Sequence, residues 1–340
     1  MNVVSVIIPH YNGEDMLYNC INSIYKNISI NNFEIIVVDN ASTDNSINRI
    51  KNSFANVKII SNKTNLGYSQ GCNIGANHAN GKYLLFLNND TEHSKDWIEK
   101  LINFLDMHSQ IAAVQPKILN IYNKKLFDYA GGSGGFIDRF CFPFIKGRIF
   151  HSLEEDLGQY DNPSRVFWAS GAAFMIRSEI FKKLEGFEKI YFAYMEEIDL
   201  CWRAQGLGYE IWSCSDSYIY HHGPYKNFRK NSITSLYLNH RNSWILFLKN
   251  TYSFNYGLLI IIKLFLDWTA LIYSLLSLDL KRFFGIIKAH IWLSIHLWQI
   301  IQLRKANKYR FNQLDNIYNG SIVLDYFIKR KKYFSQISLK

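Results

Sequence analysis

Polar and acidic side chains gather at four places where apolar runs of the sequence end or begin. They are Asp39, the triplet Asn88–Asp90, the acidic window Glu196–Asp199 and the pair His221–His222. Carboxylate and imidazole groups can bind a divalent cation or move a proton. Each place also has an ordinary explanation, because Asn and Asp form turns, acids favour the first turn of a helix, and single histidines are often packed.

The triplet Asn88, Asn89 and Asp90 follows the apolar run YLLFL. A strand this apolar is expected to be buried, and open α/β sheets bind ligands at the carboxyl ends of their parallel strands. The stretch therefore predicts either a turn or a metal and phosphate site, and taken alone it favours the turn.

The acidic window contains Glu196, Glu197 and Asp199 and follows the aromatic stretch YFAYM. One interpretation is a solvated first turn of a helix, where acids interact favourably with the helix dipole. The other is a cleft in which a carboxylate accepts a proton, and the preceding aromatic residues favour it.

The elements that must position these side chains alternate along the chain. Strands are predicted at VVSVIIP, FEIIVVDNAS, VKIISNKTN, KYLLFLNND and IAAVQPKIL, with helical spacing between them. This alternation predicts an α/β fold with a mostly parallel sheet covered on both faces. Residues 127–165 are rich in Gly and aromatics and predict a long loop or irregular hairpin over a site, whereas RVFWASGAAFMIRSEIFKKL predicts a strand followed by a helix.

Composition excludes several classes of protein. The 340 residues are 48% hydrophobic, which excludes global disorder. Five cysteines without a CxxC pair fit reduced thiols in the cytosol. The start MNVVSVIIPHYNG predicts a first strand and not a signal peptide.

NLGYSQGCNIGA does not match the dinucleotide-binding G-x-G-x-x-G pattern, and the phosphate-binding G-x-x-x-x-G-K-[ST] pattern is absent from the sequence.

All of the excess positive charge lies in the last hundred residues. Residues 241–340 contain 15 Lys/Arg and 4 Asp/Glu, a net charge of +11, whereas residues 1–240 contain 23 and 24, a net charge of −1. Two apolar segments, YGLLIIIKLFLDWTALIYSLLSL and FFGIIKAHIWLSIHLWQII, lie among these basic residues. We favour helices lying in an anionic membrane interface, with spanning helices or soluble packed helices as alternatives. No nucleic-acid partner is expected.

Several segments, in fixed order over the first 240 residues, resemble family 2 glycosyltransferases with the GT-A fold, in particular the branch of bacterial rhamnosyltransferases. They are SVIIPHYNG, EIIVVDNASTDNS, NLGYSQGCNIGA, YLLFLNND, the run from SGAAF to GYEIW, and YIYHHG. The resemblance implies a catalytic domain over residues 1–240, with a nucleotide-sugar-binding half at 1–125 and an acceptor-binding half at 126–240. Residues 241–340 would form the helical, membrane-associated region.

The resemblance implies a donor site in the first half of this domain. Asp39 would bind the nucleoside, and Asn88–Asp90 would stand where the family's Asp-x-Asp motif holds Mg²⁺ or Mn²⁺ on the donor diphosphate. Asn88 replaces the first acid and removes one strong ligand. The metal ligands would be Asp90 and His221, with His222 as the next candidate. The implied donor-binding residues are Pro9, Tyr11, Asn12, Asp39, Asn65, Gly67, Asn89 and Asp90.

The resemblance also implies the acceptor side. Glu197 would be the catalytic base and Glu196 the alternative, while Asp199 would orient a neighbour or contact acceptor hydroxyls. The implied acceptor-binding residues are Trp168, Ser170, Gly171, Asp199 and Arg241, although an ordinary core position is an equal alternative for Trp168. A loop with Lys226, Arg229 and Lys230 would neutralise the diphosphate or be solvated.

The predicted function is an inverting, metal-dependent glycosyltransferase. It would move a sugar from a nucleoside diphosphate sugar, with dTDP-rhamnose suggested by the branch, to a glycan or lipid-linked acceptor of bacterial surface polysaccharide synthesis. It would act as a peripheral or monotopic protein at the cytoplasmic face of the cell membrane. One alternative is a nucleotidyltransferase acting on sugar phosphates, which would need basic residues that PHYNGEDM lacks. The other is a non-catalytic membrane scaffold.

Overall fold

A computed structural model describes residues 2–223, 232–309, 314 and 316–339 of the chain. The predicted diphosphate loop with Lys226, Arg229 and Lys230 lies outside the described residues. All five cysteines are described, and each is buried and unpaired, as the scattered spacing predicted.

The described strands and helices alternate through the first 120 residues, as the apolar runs predicted. The strands are β1 (Val4–His10), β2 (Phe33–Asp39), β3 (Val57–Ser61), β4 (Tyr83–Leu87), β5 (Thr91–His93), β6 (Ile111–Asn120), β7 (Gly135–Asp138), β8 (Pro143–Ile145), β9 (Arg148–Ile149), β10 (Ser152–Leu153), β11 (Ser164–Val166), β12 (Ala173–Arg177), β13 (Glu210–His221) and β14 (Ile317–Tyr318). The helices are α1 (Glu14–Asn27), α2 (Ser46–Ser53), α3 (Gly67–Asn77), α4 (Trp97–Met107), α5 (Ser178–Lys183), α6 (Glu196–Gly206), α7 (Ile233–Asn250), α8 (Tyr256–Leu276), α9 (Leu280–Ala306) and α10 (Ile322–Phe327), with a 3-10 helix at Phe334–Gln336.

The central sheet is built around parallel pairing of β1 with both β2 and β4. Its strand order is β11-β13-β6-β12-β4-β1-β2-β3, and β5 pairs with β13. Every residue of β4 and all but one of β1 are buried, because helices cover both faces of these strands. The chain extends from β1 to β3 on one side and returns to β4 on the other, so a crevice opens where the strand order reverses.

The second half of the sheet adds antiparallel strands. β12 is antiparallel to β4 and β6, and β13 is parallel to β6. The carboxyl ends of β4, β6 and β13 and the amino end of β12 therefore lie at one edge. The single strand predicted from RVFWASGAAFMIR is in fact two strands, β11 and β12, separated by a loop at residues 167–172 that reaches this edge.

Residues 127–165 do not form only a loop or hairpin, because they contain most of a second, small sheet. β7, β8, β9 and β10 pair antiparallel, and β14 from the end of the chain adds in parallel to β7. Phe136 and Phe144 of this sheet pack against Phe334, with ring centroids 5.1 and 6.1 Å from that of Phe334. Strands of two to four residues carry too little periodicity to be predicted.

The C-terminal region folds as helices that pack against the rest of the molecule. By length and composition, α8 and α9 could each cross a membrane. Within the most apolar 18 residues of each helix, 28% of the residues are buried in the protein. Lys263 and Asp267 of α8 face inward, where Lys263 donates to Phe140 O and Asp267 accepts from Trp244 Nε1. The two charged side chains of α8 therefore have hydrogen-bond partners inside the protein.

Replacing Phe334 by Ala tests whether the end of the chain completes the second sheet. We expect the free energy of unfolding to fall by about 3–5 kcal/mol, the usual cost of removing a buried Phe ring. Ile328→Ala, at a side chain that is 73% exposed, should change it by about 0.5 kcal/mol or less. Urea unfolding curves measure both, and equal losses would contradict the observed docking of Phe334.

Candidate active site

Asp90 and His221 meet at the carboxyl edge of the central sheet. β5 runs antiparallel to β13 and places Thr91 opposite His221, which brings the preceding Asp90 beside the imidazole ring. Asp90 Oδ1 lies 3.2 Å from His221 Nε2, yet it is buried and no described donor is aligned to hydrogen-bond to it. A divalent cation bound between the two groups would replace the proton that His221 holds beside Asp90.

Asp128 supports His221 from the other side of the ring. Its Oδ1 lies 2.9 Å from His221 Nδ1, and this contact leaves Nε2 to face Asp90. Burial opposes protonation of His221, but the carboxylates of Asp90 and Asp128 outweigh it and raise the His221 pKa well above its usual value. The prediction missed Asp128; its only signal in the sequence was an acid placed directly before the Gly-rich stretch YAGGSGG.

This arrangement fits a divalent cation shared with a phosphate ligand. Carboxylate oxygen and imidazole nitrogen both suit Mn²⁺, and a carboxylate buttressing a ligating histidine is a common feature of metal sites. Within the described residues, no group of three or more His, Cys, Asp or Glu side chains is arranged to hold a metal ion. The chain thus offers Asp90 and His221, and Mg²⁺ or Mn²⁺ commonly completes such a set with phosphate and water.

The predicted nucleoside site lies at the ends of β1 and β2. Asp39 is buried, and its Oδ1 accepts a hydrogen bond of 2.9 Å from the Ser42 backbone. Asn12 joins the same turn, because its Oδ1 accepts from the Thr43 backbone at 2.8 Å. Tyr11 is 52% exposed at the edge of the crevice, while Pro9 is covered by Gly71 of α3. Asn12 and Asp39 therefore shape the turn that would receive the base.

Asn89 is tied to β1 through a histidine that the prediction missed. Asn89 Nδ2 lies 2.8 Å from His10 Nδ1, and His10 Nε2 lies 2.9 Å from Ser46 Oγ at the start of α2. Burial lowers the pKa of His10, so the ring is neutral and can accept from the Asn89 amide. Asn89 and His10 thus hold the ends of β4 and β1 together.

Asn65 and Gly67 position the start of α3. Asn65 Oδ1 accepts from the Gly67 backbone at 2.9 Å. Gly67 has a φ of +80°, and a Cβ there would lie 2.3 Å from the carbonyl oxygen of Phe192. Only glycine therefore allows the loop before α6 to approach α3 this closely.

Glu196 and Glu197 begin α6 directly after that loop. Both carboxylates have a buried Oε2 without a hydrogen-bond partner among the described residues. Burial raises the pKa of Glu197 to about 7, and burial together with repulsion by Glu197 raises that of Glu196 well above its usual value. Near neutral pH Glu197 is therefore partly ionised and can accept a proton.

The loop between β11 and β12 connects the acid pair, Glu196 and Glu197, to the Asp90–His221 pair. A backbone hydrogen bond from Gly171 to Glu197 partly offsets the effect of burial on its pKa. The Gly171 carbonyl accepts from Tyr68 at 2.5 Å, and the next carbonyl, of Ala172, accepts from the Asn88 backbone at 2.9 Å. Asn88 Nδ2 in turn lies 3.5 Å from His221 Nε2. These contacts therefore link the two pairs along the carboxyl edge of the sheet.

Four of the predicted acceptor residues have scaffold roles in the described structure. Trp168 is buried in the core and donates to Phe136 O at 2.9 Å, and Ser170 donates to Ala130 O at 2.8 Å. Asp199 is fully buried between Arg203 and Lys249, and Arg241 donates to Ile190 O. The core alternative for Trp168 and the orienting role of Asp199 fit this burial, whereas direct acceptor contacts by these four side chains do not.

Of the remaining predicted residues, Gly171 lies in the loop between β11 and β12, where its backbone hydrogen-bonds to Tyr68 and Glu197. His222, the second candidate ligand, turns its ring away from Asp90 and toward Glu92 and Tyr122. Its backbone N–H still donates to Asp90 O at 2.9 Å and so helps to hold Asp90 beside His221.

Comparison with solved structures supports the fold. The mannosyltransferase PcManGT from Pyrobaculum calidifontis, solved in complex with GDP-Man and Mn²⁺, matches with a TM-score of 0.53 at 15% sequence identity. The match covers 90% of this chain and 84% of that one. The predicted GT-A fold is thereby confirmed, together with its C-terminal apolar helices.

Comparison of sequences identifies relatives of different lengths. The low-salt glycan biosynthesis hexosyltransferase Agl10 of Haloferax volcanii is 28% identical over 249 residues, which are 71% of this chain and 74% of Agl10. An uncharacterised glycosyltransferase of Haemophilus influenzae is 37% identical over 115 residues, 33% of this chain and only 35% of its own length. The family model described as "Glycosyl transferase family 2" matches residues 5–184, more than half of the chain. With its sheet, crevice and motifs in agreement, the chain belongs to glycosyl transferase family 2.

Proposed function

We propose that this protein is an inverting, metal-dependent glycosyltransferase acting on a glycan or lipid-linked acceptor of bacterial surface polysaccharide synthesis. Membership of the family supports glycosyl transfer from a nucleotide sugar. The observation that carries the finer proposal is Glu197, whose pKa is raised to about 7, in the same crevice as the Asp90–His221 pair. A proton acceptor and a candidate cation site are the two components that direct displacement of a nucleoside diphosphate requires.

Glu197 is the proposed catalytic base. It takes the proton of the attacking hydroxyl while a bond forms from that oxygen to the anomeric carbon. The bond from this carbon to the diphosphate oxygen breaks, and its electron pair leaves with the nucleoside diphosphate. Attack opposite the leaving group inverts the anomeric configuration. Glu196 lies next to Glu197, and repulsion between the two carboxylates favours a state in which only one of them is charged.

Asp90 and His221 are the proposed ligands of Mg²⁺ or Mn²⁺, with Asp128 holding the imidazole in place. When bound, the ion supplies positive charge that stabilises the departing diphosphate as a Lewis acid. PcManGT was solved with Mn²⁺, and its fold is shared over 90% of this chain.

The donor proposal divides the domain into functional halves. Residues 1–125 would bind the nucleotide sugar at Asp39, Asn12 and Tyr11, and residues 126–240 would receive the acceptor beside Gly171 and Glu197. The motifs resemble rhamnosyltransferases, so dTDP-rhamnose is the first donor to test. PcManGT was solved with GDP-Man, and GDP-mannose is therefore the second.

The C-terminal region, residues 241–340, is the proposed membrane anchor at the cytoplasmic face. Exposed apolar side chains repeat every three or four residues along one face each of α8 and α9. They are Ile261, Phe265, Trp268 and Ile272 on α8, and Ile291, Ile295 and Trp298 on α9. Basic residues lie at both ends of α9, namely Lys281 and Arg282, and Lys305 and Lys308. Basic residues at both ends fit a helix lying flat in an anionic interface.

Replacing Glu197 by Gln should abolish turnover without removing the donor site. We expect nucleoside diphosphate release to fall on the order of 10²–10⁴-fold, the usual contribution of a positioned base. In the wild-type protein, log kcat/KM should fall with decreasing pH below about 7, because protonated Glu197 cannot accept a proton. A coupled assay with dTDP-rhamnose, GDP-mannose and UDP-GlcNAc measures both.

The control for this experiment is Glu179→Gln, at an exposed glutamate of α5. It should leave the rate and the pH profile unchanged. Equal rates for wild type and Glu197→Gln would refute the base assignment and favour the non-catalytic scaffold. Retention of the anomeric configuration in the product, seen by NMR, would refute inversion.

Replacing Asp128 by Asn tests the metal site without removing a proposed ligand. We expect the affinity for Mn²⁺ in the presence of UDP to fall about 10–100-fold, because the imidazole loses the carboxylate that orients it. Asp216→Asn, at an exposed position of β13, is the matched control and should bind like wild type. Isothermal titration with MnCl₂ measures both, and equal affinities would exclude His221 as a ligand oriented by Asp128.

Trp268→Glu and Trp298→Glu test the membrane face. Each should greatly reduce co-sedimentation with vesicles containing phosphatidylglycerol, since a charge replaces an exposed indole on the apolar face. Met107→Glu, at a side chain of α4 that is 72% exposed, should sediment like wild type. Unchanged sedimentation of both Trp variants would contradict the membrane anchor. If the wild-type protein formed a dimer without vesicles and both variants were monomeric, this face would instead bind a second copy of the chain.

A further inference from the structure

The loop before the acid pair has a conformation that its own sequence does not favour. Tyr194 and Met195 both have positive φ, 72° and 71°, although neither is glycine. Met195 is also the N-cap of α6, and it makes no side-chain hydrogen bond to the helix. Adjacent left-handed residues persist only where surrounding contacts hold them. The position of Glu196 and Glu197 therefore depends on whatever fixes this turn.

Asn242 of α7 makes the contacts that fix it. Its side chain is fully buried, and Nδ2 donates to Ala193 O at 2.8 Å and to Tyr194 O at 2.7 Å. An amide nitrogen carries two hydrogens, so both are directed at consecutive carbonyls of the turn.

Arg241 completes the same contact. Its Nε donates to Asn242 Oδ1 at 2.8 Å, which fixes the amide in the orientation that directs Nδ2 at the turn. Its guanidinium also donates to Ile190 O at 3.1 Å, further back in the loop. Both polar atoms of the Asn242 side chain thus have hydrogen-bond partners. Together, Arg241 and Asn242 hold the loop from Ile190 to Met195 in place.

A second contact from α7 holds the first turn of α6. Asp199 accepts from Lys249 Nζ at 2.9 Å and from Asn250 Nδ2 at 2.8 Å, and all three side chains are buried. The segment that carries Glu196 and Glu197 is therefore held on both sides by α7. Asn242 acts on the turn before the acids, and Asp199 is held in the helix after them.

We propose that Asn242 is a positioning residue, which holds the Tyr194–Met195 turn and thereby directs Glu197 toward the reacting hydroxyl. This inference rests on the proposed role of Glu197 as the base. It gives the Arg-Asn pair of LNHRNSW a function that does not involve touching the acceptor. The chemistry also requires an amide here, because a carboxylate would face two carbonyl oxygens with no hydrogen to donate.

Asn242→Asp is the nearly isosteric test. We expect kcat to fall on the order of 10²-fold while the donor KM stays within about twofold, because the base is displaced and the donor site is not. Asn242→Gln keeps the two donors on a longer side chain and should lose less. Asn239→Asp is the matched control, since Asn239 lies on the same helix and donates only to Ser235 O among its described hydrogen bonds. Nucleoside diphosphate release from dTDP-rhamnose, GDP-mannose or UDP-GlcNAc measures the rates.

Hydrogen exchange of the substrate-free protein separates this inference from the proposed function. Amides of residues 192–199 should exchange faster in Asn242→Asp than in Asn239→Asp, while the melting temperatures show that both variants are folded. The positioning role would be overturned if Asn242→Asp left kcat or the exchange rates unchanged. It would also be overturned if the fall in kcat came with an equal change in donor KM and a loss of folded protein. Equal rates for wild type and Glu197→Gln would instead refute the function, and exchange alone would then decide whether Asn242 holds the turn.

Discussion

Parallel pairing of β1 with both β2 and β4 brings three carboxyl ends to one edge of the central sheet. Polar residues stand at the ends of these strands. Asp39 is the last residue of β2, and Asn88–Asp90 follow β4, so they lie at the same edge of the sheet. The buried apolar strands supply the rigid base for this edge, because their side chains are enclosed on both faces and cannot shift independently. Polar contacts such as that of Asn89 with His10 then join neighbouring strand ends.

Polar groups away from water are used in two different ways at this edge. His10, Asp128, Arg241 and Asn242 are buried and have hydrogen-bond partners, so they orient other groups. Asp90, Glu196 and Glu197 each keep a buried oxygen without an aligned partner. An unpaired buried oxygen costs roughly 1–3 kcal/mol, so three of them around one crevice need a reason. A bound ligand or a proton in transfer supplies that reason.

The C-terminal helices resolve a conflict within their own sequence. Lys263 and Asp267 interrupt the apolar run of α8, but both point toward α7 and are paired there. Asp267 also lies within 3.7 Å of His240 and 3.4 Å of His290, so the three helices share one buried polar cluster. The exposed residues of α8 are consequently almost all apolar. The same α7 that packs against this pair carries Asn242, so the proposed membrane anchor and the acid pair are attached to one helix.

The sequence by itself determined strands β1 to β4 and β6, because each is a short apolar run, and the α/β class follows from their alternation with helices. It also predicted that Asp90 and His221 would meet, although only through a family resemblance. Tertiary structure alone decided the partners of buried groups: Asp128 behind His221, Asn242 on the turn before Glu196, and Trp168 in the core. Such contacts join residues 32 to 93 positions apart, and they depend on how sheets and helices pack. The spacing of apolar residues along the sequence does not specify that packing. For this reason the second sheet and these positioning residues were not predicted.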